Sequence, residues 1–112
     1  MKTLTIIGAG GWGTALSIAL SRNVEHIGLW VYEPDLCQTI SITRVNPFYL
    51  PDFLIPANVH PTTDLETALC GSEAVLIAVP SDHLRGVLQQ MRTWANPEQI
   101  FISATKGLET GT

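Results

Sequence analysis

Thr3-Leu4-Thr5-Ile6-Ile7-Gly8-Ala9-Gly10-Gly11-Trp12-Gly13-Thr14-Ala15 sets a short β-branched run directly against a cluster of glycines. Branching at Cβ favours the pleated backbone, so Thr3 to Ile7 is expected to form a strand and the glycines a turn. Beyond the turn Trp12, Ala15, Leu16, Ala19 and Leu20 recur at helical spacing until Ser21-Arg22-Asn23. Such a stripe predicts a helix packed on a sheet, with the Trp12 side chain in the core.

The alternation continues downstream. Ile27-Gly28-Leu29-Trp30-Val31-Tyr32 reads as a second strand, covered on both faces and ending near Glu33. Proline fits the first turn of a helix and an acid suits its N-terminus, so Pro34-Asp35 should open a helix running to about Ile42. From Asn46 to Asn58, three prolines and several large apolar side chains predict an irregular segment folded back against the sheet. A brief strand near Val59 precedes Thr63-Asp64-Leu65-Glu66, in which Thr63 and Glu66 fit a capping box for a short helix through Leu69. Ala74 to Val79 is the clearest buried strand, and Pro80-Ser81 starts a helix whose apolar face is Leu84, Val87, Leu88 and Met91. Ile100-Phe101-Ile102-Ser103 is the last strand, before the regular pattern stops at Ala104-Thr105-Lys106-Gly107. Strands and helices in this order build a doubly wound α/β fold of the Rossmann kind, a parallel sheet with helices on both faces.

Composition narrows the function. With 112 residues, 46% apolar and 14% charged, the chain can bury a core and is no disordered acidic tail. Its net charge of −4 comes from scattered acids, and six Lys and Arg are too few for a nucleic-acid surface. An anionic ligand would therefore be held by backbone amides and a helix terminus. Cys37 and Cys70 form no C-x-x-C pair, and His26, His60 and His83 show no ligand spacing, so neither metal nor disulfide is expected. The apolar stretch Leu4 to Ile7 is too short for a signal peptide or a membrane span, and a cytoplasmic location is expected.

Gly8, Gly10 and Gly13 give a G-x-G-x-x-G pattern, a weak signal alone and a strong one between a strand and a helix. The first glycine allows the tight turn, the second lets the backbone approach a pyrophosphate, and the third lets helix and strand pack closely. An acid at the end of the second strand, about 20 residues on, would accept hydrogen bonds from the adenosine ribose. Glu33 stands there, and its charge would repel a 2′-phosphate, favouring NAD over NADP unless the backbone turns Tyr32 to the ribose instead. A solvated surface acid is the plainer alternative for Glu33. Lys106 would sit at the carboxyl edge of the sheet, where it could hold a phosphate or polarise a carbonyl; a free loop lysine is the alternative. His83 is expected to be an exposed residue in the first turn of its helix. Residues 1–112 thus read as one dinucleotide-binding domain, expected to be an incomplete N-terminal fragment of a longer enzyme and inactive alone.

The chain also resembles the NAD(P)-dependent glycerol-3-phosphate dehydrogenases of bacterial type. Four motifs carry the likeness: Gly8-Ala9-Gly10-Gly11-Trp12-Gly13-Thr14-Ala15; Asn46-Pro47-Phe48-Tyr49-Leu50-Pro51 with Ile55-Pro56; Val79-Pro80-Ser81; and Ala104-Thr105-Lys106-Gly107-Leu108-Glu109. The resemblance implies hydride transfer between dihydroxyacetone phosphate and sn-glycerol 3-phosphate, in a step that feeds phospholipid synthesis. It places Gly11, Trp12, Tyr32, Glu33 and Pro80 beside the dinucleotide and Lys106 against both cofactor and phosphorylated substrate. It also implies a helical C-terminal domain, absent from these residues, that carries the catalytic base and forms a homodimer. In two places the sequence departs from the family: Gly11 replaces a serine, and Glu33 stands where many members carry a basic residue suited to NADPH. A dehydrogenase of another phosphorylated or acidic substrate, and a non-catalytic nucleotide sensor, would share the glycine loop.

Overall fold

The computed structural model describes residues 2–79 and 81–103. Five strands and four helices alternate along them: β1 (Thr3–Ile7), α1 (Gly11–Leu20), β2 (His26–Trp30), α2 (Pro34–Thr43), β3 (Val59–Thr62), α3 (Leu65–Leu69), β4 (Ala74–Ile77), α4 (Ser81–Trp94) and β5 (Ile100–Ser103). All pairings are parallel and the order across the sheet is β3-β2-β1-β4-β5. The chain builds outward from β1 to β3, then crosses to the other side of β1.

Strand periodicity divides the core in two, because successive side chains point to opposite faces. Leu4, Ile6, Ile27, Leu29, Val31, Ala74, Leu76 and Ala78 pack with Leu36 and Ile40 of α2 and the half-buried Leu16 and Leu20 of α1. Ile7, Trp30, Val75, Ile77 and Val79 pack with Leu65, Ala68 and Leu69 of α3 and Val87 and Met91 of α4. Helices therefore cover both faces, as the alternation predicts. β5 carries its apolar residues Ile100, Phe101 and Ile102 exposed at the sheet edge.

Several local expectations are corrected. Trp12 is 58% exposed, and the most deeply buried residues of α1 are Gly13, Thr14 and Ser17, with Leu16 and Leu20 of the stripe half-buried beside them, because small side chains let the helix lie close to the loop beneath it. The cap of α3 is Asp64, not Thr63: its carboxylate accepts from the Glu66 amide at 3.1 Å and from the Thr67 hydroxyl at 2.7 Å. A carboxylate one residue nearer the helix meets the free amide directly. On α4 the buried stripe is Leu84, Val87 and Met91, while Leu88 faces outward. β2 ends at Trp30, before Tyr32, and β4 at Ile77, before Val79, where the neighbouring strand β1 itself ends.

The irregular segment does fold back, though of its large apolar residues only some are used. Phe48, Tyr49, Phe53 and Leu54 are exposed, whereas Asn46 and Ile55 are buried. Arg44, in the left-handed region at φ 59°, closes α2 and ties the segment's two ends together. Its carbonyl accepts from the Ile55 amide at 2.6 Å, and its guanidinium donates to the carbonyls of Ile55, Pro56 and Val59. No helix among the described residues is long and apolar enough to cross a membrane.

Candidate dinucleotide site

The connections after β1 and β4 leave the sheet toward opposite faces, α1 on one and α4 on the other. Their diverging backbones open a crevice at the carboxyl ends of the strands, the usual ligand position in open α/β sheets. Sterics fix the floor of this crevice. Gly8 has φ +115°, and a Cβ there would lie 2.7 Å from the Ala78 carbonyl oxygen. A Cβ on Gly13 would lie 1.9 Å from the Gly8 carbonyl oxygen, so only hydrogen fits between α1 and the loop. Gly8 donates to the Trp30 carbonyl at 3.0 Å and Ala78 to the Ile7 carbonyl at 2.8 Å, which carries the ladder's order into the loop.

Above this floor the space is open. A Cβ on Gly10 would meet nothing within 4 Å. Gly10 is the N-cap of α1 in extended conformation; no side chain caps it and no acid stands in the first turn. The first amides of a helix have no intrahelical acceptor, so they and the helix dipole favour an anion at this point. The backbone at Gly10 thus turns an uncapped helix N-terminus toward open space, an arrangement whose chemistry suits an anion.

Around the crevice the structure gathers residues from three separate segments. Trp12 stands exposed on the first turn of α1. Tyr32 and Glu33 lie exposed past the end of β2, with Glu33 as the N-cap residue of α2. The exposed His83 ring stacks on Tyr32 with centroids 6.1 Å apart, and Trp30 meets Tyr32 edge-on at 5.9 Å. Pro80 and Lys106 lie outside the described residues.

Two residues not singled out as site residues in the sequence reach the loop as well. The Tyr49 carbonyl oxygen and Cβ lie 3.7 and 3.8 Å from where a Cβ on Gly11 would stand. Asn46 is fully buried, and its Nδ2 donates to the Ala9 carbonyl at 2.7 Å and to the Thr14 Oγ1 at 2.9 Å. Both belong to the Asn46-Pro47-Phe48-Tyr49-Leu50-Pro51 motif, yet no local pattern says which part of the chain that motif touches.

A second concavity of about 400 Å³ lies against the first halves of β1 and β2, lined among others by Thr5, His26, Gly28, His60 and Ser72. There the parallel register brings His26 Nδ1 to 3.2 Å from His60 Nε2, a pairing the sequence reading did not foresee. Burial, then the charges of His26 and Arg44, holds His60 below the usual histidine value. Among the described residues no three His, Cys, Asp or Glu side chains could hold a metal, and Cys37 and Cys70 are free thiols.

The model for "NAD-dependent glycerol-3-phosphate dehydrogenase N-terminus" matches residues 3–112. A glycerol-3-phosphate dehydrogenase [NAD(P)+] of Bartonella quintana is 46% identical over 98% of the chain, which covers 32% of that protein. One from Koribacter versatilis is 43% identical over 100% of the chain and 34% of its own length. Among solved structures, glycerol-3-phosphate dehydrogenase from Coxiella burnetii superposes with a TM-score of 0.89 at 33% identity, over 94% of this chain and 32% of that one. The chain spans about a third of the length of the curated relatives it matches.

Proposed function

We propose that this chain, which belongs to the N-terminal family of NAD-dependent glycerol-3-phosphate dehydrogenases, is the dinucleotide-binding domain of an enzyme that interconverts sn-glycerol 3-phosphate and dihydroxyacetone phosphate. The observation that carries this reading is the uncapped α1 N-terminus over a floor so tight that Gly8 and Gly13 admit no side chain. When bound, the nicotinamide supplies or takes up the hydride. The residues of this chain supply position: the Gly10 to Gly13 amides for the diphosphate, with Gly8 and Gly13 holding them in place. Tyr32 and Glu33 serve the adenosine end, Trp12 and Pro80 the walls, and Lys106 both cofactor and the substrate's phosphate. The catalytic base and the homodimer contact belong to a further helical domain in this reading, and the protein works in the cytoplasm, where free thiols such as Cys37 and Cys70 persist.

NAD is the preferred cofactor in this proposal, because the carboxylate of Glu33 beside the ribose repels a 2′-phosphate. Calorimetric titration with NADH and NADPH tests both points. Saturable heat with NADH, weaker with NADPH, is expected, and Glu33→Gln should narrow the gap. A folded chain that takes up neither nucleotide sinks the reading; one that prefers NADPH sinks only the role of Glu33.

A further inference from the structure

We infer that Asn46 is a positioning residue for the phosphate-binding loop: from a distant segment it sets the loop's shape, and through it the affinity for a dinucleotide. The inference rests on the dinucleotide reading above. Asn46 begins the irregular segment, 37 residues from Ala9 and 32 from Thr14 in sequence, and is fully buried where its carboxamide meets both. Its Nδ2 spends both protons there, one on the Ala9 carbonyl at 2.7 Å and one on the Thr14 Oγ1 at 2.9 Å. The Thr14 hydroxyl donates in turn to the same Ala9 carbonyl at 3.2 Å, closing a ring of three groups.

The position of this ring gives it a function. Ala9 lies between Gly8 and Gly10, and Thr14 follows Gly13, so the ring clasps the loop at both ends of the amides that would face the diphosphate. Buried backbone carbonyls need a donor, and the Ala9 carbonyl takes its side-chain donors from the Asn46 carboxamide and from the Thr14 hydroxyl that the same carboxamide holds. Glycines alone leave the backbone free to take many shapes. The carboxamide is what selects one. The Asn46 backbone carbonyl accepts from the Leu50 amide at 2.9 Å, fixing the turn that brings Tyr49 against Gly11.

Merely filling a cavity would call for an apolar side chain, and a buried amide costs desolvation unless its bonds are wanted. Asn46 Oδ1 has no partner among the described residues, so the group is retained for its two donors.

The test compares ligands with and without phosphates on the wild-type chain and on Asn46→Ala, after circular dichroism has verified folding. Loss of a buried hydrogen-bond pair predicts that Kd for NADH and for ADP-ribose both rise by about tenfold, while Kd for adenosine, followed by NMR, stays within about twofold. An unchanged NADH affinity in the folded variant overturns the inference. So does an equal loss for adenosine, which would mean a general loosening of the domain. Should Asn46→Ala not fold, Thr14→Val, which keeps the shape and removes the hydroxyl that accepts from Asn46 and donates to Ala9, decides: about threefold weaker NADH and ADP-ribose binding supports the role, and none rejects it. A wild-type chain that binds none of the three ligands overturns the dinucleotide reading itself, and this inference with it.

Discussion

The two faces of the sheet are held in different ways. Where α1 begins, the contact is backbone on backbone: Gly13, Thr14 and Ser17 are buried and hydroxyls close the gaps, Ser17 Oγ donating to the Thr14 carbonyl at 2.7 Å, while Leu16, Ile18 and Leu20 pack on the core further along. Under α3 and α4 the contact is made by large side chains, Leu65, Leu69, Val87 and Met91, and the first halves of the strands are left with an open groove. Apolar area can be exchanged between side chains with some freedom, whereas a backbone contact has one distance. The face that must place a helix N-terminus to within a fraction of an ångström is the one built from glycines and hydroxyls. The opposite face mainly supplies burial, each fully buried aliphatic side chain contributing roughly 1.5–3 kcal/mol.

Substitutions sharpen this contrast. Gly13→Ala should be the most damaging, since its methyl would enter the Gly8 carbonyl and α1 would have to move; a loss above about 4 kcal/mol, or no folded chain in denaturant titration, is expected. Met91→Ala should cost about 3 kcal/mol by leaving a cavity, yet NADH binding at saturating stability should hardly change. If Met91→Ala proved worse than Gly13→Ala, the contrast between the faces would be wrong. Gly10→Ala should leave the thermal midpoint almost unmoved, within about 0.5 kcal/mol, because a methyl there meets open space at φ −71°. The same methyl would stand where a diphosphate approaches, so NADH binding should weaken about tenfold.

The smallest effect concerns the groove. His60 is held below the usual value of 6.5, so the folded chain binds its proton less readily than the unfolded one. That contribution to stability is complete above 6.5 and is lost as pH falls through the lowered value. The thermal midpoint should therefore drop between pH 7.5 and 5.5, and by less in His60→Gln; equal drops would show that the His26–His60 pair does not contribute.

How much of this was legible follows from the kind of interaction involved. The alternation of elements and the turn at Gly8 were readable because they are local: β-branched runs, proline at Pro34 and glycines each constrain their own backbone. α1 was misread in part for the same reason, since Leu16 and Leu20 of its stripe do pack on the core while Trp12 and Ala19 do not. Its stripe Trp12, Leu16 and Ala19 has helical period, but Gly13 beside it requires an approach so close that the small face turns inward and Trp12 outward. Thr63 lost the cap to Asp64 by a single residue, a margin that sequence patterns do not resolve.

The sequence by itself determined the order of strands and helices and the turn that only glycine can make. Tertiary structure alone decided that Asn46 meets Ala9 and Thr14, that Tyr49 lies beside Gly11, and that His26 pairs with His60 across neighbouring strands. Periodicity and turn chemistry act within a few residues. The partner of a buried amide, by contrast, is chosen by which strands become neighbours and how closely a helix can settle on them, and that is fixed only when the whole sheet has formed.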